Sequence, residues 1–116
     1  MKDTKKEQPV KVIDRTFHHM NQSHYLNSIL QVTQGTTAHK LKVHIRRNAY
    51  DFQSEATVKI WNQATLSWNF VASLPYNGEE KAATFNCSYI DPITRFQPLA
   101  LQDETRLIKK ATAVIF

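Results

Sequence analysis

From Lys40 to Arg46 the chain alternates strictly. Leu41, Val43 and Ile45 fall on one side, and Lys40, Lys42, His44 and Arg46 on the other. A period of two with one apolar side is the signature of a half-buried β-strand. The pattern returns at Ala56–Trp61, where Ala56, Val58 and Ile60 oppose Thr57, Lys59 and Trp61. It returns again at Leu66–Leu74, with Leu66, Trp68, Phe70, Ala72 and Leu74 as the apolar set. Ala83, Phe85, Cys87 and Tyr89 alternate with polar residues and predict a fourth strand after an Asn77-Gly78 turn.

The two middle strands predict their own register. Pairing Ile60 with Trp68 and Val58 with Phe70 keeps all four apolar side chains on one face and leaves the odd loop Gln63-Ala64-Thr65. Pairing Trp61 with Trp68 would instead set Lys59 opposite Phe70 on the buried face, where desolvating an ammonium is costly. The odd loop, with Trp61 facing outward, is therefore expected.

Outside this meander the period changes. Tyr25, Leu26, Ile29, Leu30 and Val32 recur near helical spacing with Gly35 just beyond, which predicts a helix over 21–34. A strand through Ile29–Thr33 is the rival. Pro9–Ile13 is short and β-branched and suits an edge strand. Leu107, Ile108, Ala111, Val114 and Ile115 form one stripe of a C-terminal helix over 103–115. Asp103 is its expected N-cap, Glu104 suits the positive helix start, and Arg106, Lys109 and Lys110 lie opposite. The β-branched run Thr112–Ile115 leaves a short last strand as the alternative. The expectation is an α+β fold: a four-stranded antiparallel meander flanked by an N-terminal and a C-terminal helix. Residues 1–8 read as a basic, solvated arm and 9–116 as one domain.

Composition narrows the function. The chain has 116 residues, 41% hydrophobic, and a formal charge of +5. That excess permits nucleic acid or an acidic partner without requiring either. One cysteine excludes an internal disulfide, Met1–Met20 contains no apolar signal core, and no window approaches a membrane span. A reducing cytoplasm is the expected compartment.

Candidate chemistry is sparse. Five histidines suggest a metal, but His19 and His24 are five apart and His39 and His44 have opposite strand parity. Cys87 on an apolar strand face is a small hydrophobe rather than a nucleophile. Asp51 and Glu55 flank one loop and are the nearest approach to an acid–base pair. Two glycines in the whole chain exclude Gly-rich phosphate loops. No enzyme, no metal and no cofactor is expected. What remains is the polar face of the sheet, where Lys40, Lys42, His44 and Arg46 lie beside Thr57, Lys59 and Trp61, then Ser67, Asn69 and Val71. The competing reading is an ordinary solvated sheet face, or one covered by a helix. Arg47 points inward by parity or leaves the strand. Tyr50 and Phe52, in the loop that follows, add two aromatics suited to an interface.

The stretch Leu41-Lys-Val-His-Ile-Arg-Arg-Asn-Ala-Tyr-Asp-Phe-Gln-Ser-Glu-Ala, through Trp61 and Trp68-Asn69, resembles small uncharacterised proteins of phages and other mobile elements. The resemblance implies an accessory protein that inhibits host defence by docking on a protein complex, and it assigns no residue a role. Lys109-Lys110-Ala111 on a last helix is a feature shared with double-stranded-RNA-binding domains. The acidic Asp103-Glu104 start and the strand count depart from that family. Two partners stay open: a protein complex, met by Trp61, Tyr50, Phe52 and the basic strand, or nucleic acid, met by Lys40, Lys42, Arg46, Lys59 and Trp61. A homodimer through a sheet edge or through Val114–Phe116 is a further alternative.

Overall fold

A computed structural model of the chain describes residues 10–20, 23–48, 54–75 and 92–115. It shows an α+β fold: a five-stranded antiparallel sheet in sequence order, β1 (Val10–Met20), β2 (Ser23–Gln34), β3 (Thr37–Asn48), β4 (Glu55–Asn62) and β5 (Ser67–Ser73), with one C-terminal helix, α1 (Pro92–Ile115). The arm 1–8, the strand expected near 83–89 with Cys87, and the residues Tyr50, Asp51 and Phe52 lie outside the described residues.

The expected N-terminal helix is a strand. β2 pairs with β1 from Val10↔Val32 to Met20↔Ser23 and with β3 from Ser23↔Asn48 to Gln34↔Thr37. Helical spacing arose because both faces of β2 carry apolar residues: Leu26, Leu30 and Val32 are buried, while Tyr25 and Ile29 are half-buried on the other side. Two neighbouring strands satisfy its backbone on both edges, which an isolated helix of this composition cannot match. Gly35 is a hairpin residue rather than a helix stop. It takes φ +60° at the first position of the two-residue loop Gly35-Thr36, as a type II′ turn requires.

The helix begins eleven residues before the expected N-cap and runs through Pro98. Pro92 at its start has the preset φ of a first helical residue. Pro98 forfeits one backbone hydrogen bond, but Phe96 and Ala100 on either side of it are buried against the sheet, and that tertiary burial holds the helix through the break. Phe96, Ala100, Asp103, Glu104, Leu107 and Ala111 form the buried stripe, and Val114 is exposed. Thr112–Ile115 stays helical.

The helix covers one face. There, Leu26, Leu30, Leu41, Val43, Ile45, Ala56 and Val58 meet Phe96, Ala100, Leu107 and Ala111 in a single core. Phe17 packs edge-on against Phe96, at 6.4 Å between centroids. Lys110 Nζ donates to the Ser73 carbonyl at 2.9 Å and fastens the helix to β5.

Candidate nucleic-acid interface

The opposite face is built by the other half of each strand. Its cross-strand rows are fixed by pairing: His18, Tyr25, Arg46 and Glu55 in one; Thr16, Asn27, His44, Thr57 and Ser73 in the next; Asp14, Ile29, Lys42, Lys59 and Phe70 in the third. Trp61 and Trp68 pair in the row beyond. No described element packs over these rows.

The register of β4 and β5 corrects the expected one. Trp61 pairs with Trp68 and Lys59 with Phe70, and the loop is Gln63-Ala64-Thr65-Leu66. Asn62 Oδ1 accepts from the Ala64 and Thr65 amides, and Leu66 adopts φ 54°. The desolvation objection does not apply, because this face is open: Lys59 is exposed and Phe70 is 62% exposed. A β-bulge lies between Val58↔Ala72 and Lys59↔Phe70 and leaves Val71 as the extra residue. The bulge reverses the parity of β5, so Ala72 packs on the core while Trp68 and Phe70 turn outward. Ser67, Asn69 and Val71 are therefore not the β5 members of this face as expected from uninterrupted alternation. Trp61 faces outward as expected, since the parity of β4 alone sets it.

The face is cationic and aromatic together. Lys42 Nζ lies 5.5 Å from the centre of the Trp68 ring, and Trp61 and Trp68 meet edge to face at 5.2 Å. Trp61 Nε1 donates to Gln63 Oε1 at 2.9 Å. The Arg46 guanidinium stands 5.6 Å from the Tyr25 ring, which stacks on His18 at 4.5 Å and is tilted against His44 at 6.0 Å. Lys40, Lys42 and Lys59 form no ion pair among the described residues.

A shallow depression of about 400 Å³ opens among Asn27, Lys42, His44, Glu55, Thr57 and Lys59. Asn27 fixes His44: its Oδ1 accepts from His44 Nδ1 at 2.7 Å, and its Nδ2 lies 3.3 Å from His18 Nε2. His44 Nε2 then faces Glu55 at 3.6 Å. Partial burial lowers the His44 pKa from its usual value, opposed by the Glu55 charge and hydrogen bond and reinforced by Arg46 and His18.

The histidines do not gather as ligands. His44 is on the open face, and His39 pairs with Val32 on the other. His19 stacks on His24, and His24 on Phe96, at the helix-covered side. Among the described residues no group of three metal-ligating side chains converges. Arg47 does point inward: its side chain is 4% exposed and its Nη2 donates to Asp103 Oδ2 at 2.8 Å. Asp103, expected as an N-cap, is thus a mid-helix partner of a buried guanidinium, joined by Arg106 at 3.2 Å. Glu104 is likewise not a helix-start residue. It receives Arg15 through Nε and Nη2 and the Ser28 hydroxyl at 2.6 Å.

Sequence reading brought Lys40, Lys42, His44, Arg46, Lys59 and Trp61 to this face, and the fold places them there. It missed Trp68 and Phe70, hidden by the bulge, and Tyr25, Asn27 and His18, hidden by the helical reading of β2 and the short strand assigned before it. The chain matches no protein-family model, no curated protein and no solved structure. No helix of the described residues is long and apolar enough to cross a membrane.

Proposed function

We propose that this chain is a non-enzymatic binding protein that takes single-stranded nucleic acid on the open face of its sheet. The observation that carries the reading is Lys42 over the half-buried Trp68, with Phe70 exposed beside Lys59: cations without acidic partners among the described residues, next to aromatic rings. Backbone phosphates meet cations, and unpaired bases stack on aromatic rings whatever their sequence. A duplex buries its base faces and would leave the rings unused, so single strands suit the surface better.

The test is binding of labelled single- and double-stranded DNA and RNA across a salt series, with Lys42→Glu/Lys59→Glu beside the wild type. Four cations, Lys40, Lys42, Arg46 and Lys59, predict a log–log salt slope of about −3 on single strands. Tight, salt-sensitive binding that collapses in the variant supports the reading. No binding at low salt overturns it.

A second reading has its own support. Trp61 and Trp68 meet edge to face, with Phe70 exposed on the same face, aromatics of the kind that anchor protein interfaces, and the resemblance to phage and mobile-element proteins points to docking on a host defence complex. Capture of a protein partner with shallow salt dependence, lost in Trp68→Ala, would favour it over nucleic acid.

A further inference from the structure

Lys42 and Lys59 stand directly opposite each other on neighbouring strands. Like charges so placed destabilise a sheet, and neither lysine has an acidic partner among the described residues. Both line the depression, and so does Thr57, whose hydroxyl makes no hydrogen bond among the described residues. Phe70 continues the Lys42–Lys59 row, and Trp68 lies under Lys42.

We propose that the depression is the seat of one phosphodiester group, gripped between Lys42 and Lys59 and hydrogen-bonded by Thr57, with the attached base laid on Phe70. The proposal rests on the nucleic-acid reading and adds to it a fixed address for one nucleotide. An anion between the two ammonium groups removes their repulsion and supplies the acceptor that the Thr57 hydroxyl lacks among the described residues.

Among the described residues Glu55 is the one lining group that opposes an anion, and His44 controls it. With Nδ1 committed to Asn27, a proton added to His44 goes to Nε2 and faces Glu55. Protonated His44 cancels the carboxylate, so phosphate and proton bind cooperatively. The other groups facing His44 are Tyr25 and Asn27 on β2, His18 on β1, Thr57 and Lys59 on β4, and its own neighbours Lys42 and Arg46. Of these His18 is the other imidazole, and its Nε2 already lies against Asn27 Nδ2.

The test compares an oligothymidylate with an abasic strand of equal length, at two pH values, using wild type, Lys42→Gln/Lys59→Gln, Phe70→Ala and His44→Gln, each checked for unchanged thermal unfolding. The lysine double variant is expected to weaken both strands by the same factor, about 10-fold or more, and to reduce the salt slope by about 1. Phe70→Ala is expected to weaken the base-bearing strand only. Wild type is expected to bind about 5-fold more tightly at pH 5.5 than at pH 7.5, a coupling that His44→Gln removes. If the double variant holds the abasic strand as tightly as wild type, the seat is wrong while the binding face stands. Failure of the wild type to bind either strand ends both.

Discussion

The two faces of one sheet handle charge in opposite ways. On the helix-covered face the buried charges among the described residues are matched: Arg47 with Asp103, and Glu104 with Arg15 and the Ser28 hydroxyl. On the open face Lys40, Lys42 and Lys59 have no such partners among the described residues, and Lys42 and Lys59 stand beside Trp68 and the exposed Phe70. Both faces come from the same strands, one residue apart. Arg46 and Arg47 are adjacent in sequence, yet one lies over Tyr25 in partial contact with solvent and the other is enclosed against the helix. Burial dictates the difference. A charge removed from water requires a partner, whereas an exposed one does not, and is free to attract a ligand.

The largest effect should come from breaking a pair on the covered face. Asp103→Ala leaves the Arg47 guanidinium enclosed without its carboxylate and is expected to cost about 3–5 kcal/mol in urea unfolding. Lys59→Ala on the open face should stay within about 0.5 kcal/mol in the same assay. Equal costs would dissolve the contrast. Glu104→Gln probes the boundary, because Arg15 is partly exposed and regains water when its charged partner is lost. A loss of about 1–3 kcal/mol is expected there, smaller than for Asp103→Ala.

On the open face the measurement is binding. Trp68→Ala and Phe70→Ala should each weaken single-stranded nucleic acid by about 1–3 kcal/mol, the worth of one stacked base. Their unfolding midpoints should move little, because neither ring belongs to the core. A large loss of stability with no loss of binding would make these rings structural. The smallest effect is proton linkage at His44. Its pKa is lower in the folded chain than in the unfolded one, so the unfolded state binds more protons as pH falls. Stability is present above the usual histidine pKa of about 6.5 and is lost below it, through the lowered folded value. A shallow decline of midpoint from pH 7 to 5, flattened in His44→Gln relative to wild type, is the expected outcome.

The strands over Lys40–Arg46 and Ala56–Trp61 and the outward Trp61 were legible in the amino-acid order, as was the inward Arg47 as one of two alternatives, because alternation along a strand is set by the backbone alone; the apolar stripe likewise marked the C-terminal half of the helix. The same alternation brings four cations, Lys40, Lys42, Arg46 and Lys59, to one face. What it could not reach depends on contacts distant in sequence. The stretch 21–34 carries apolar residues on both sides, so its period is ambiguous until β1 and β3 claim its two edges. The bulge at Val71 depends on which face of β5 the helix covers, and one extra residue turns Trp68 and Phe70 to the face opposite Ala72 and Leu74. Asp103 and Glu104 look like a helix start until Arg47 and Arg15 arrive opposite them from strands at least 56 residues away. Local periodicity determined which residues share a face; the tertiary structure alone decided which face would be enclosed, and so which charges needed partners.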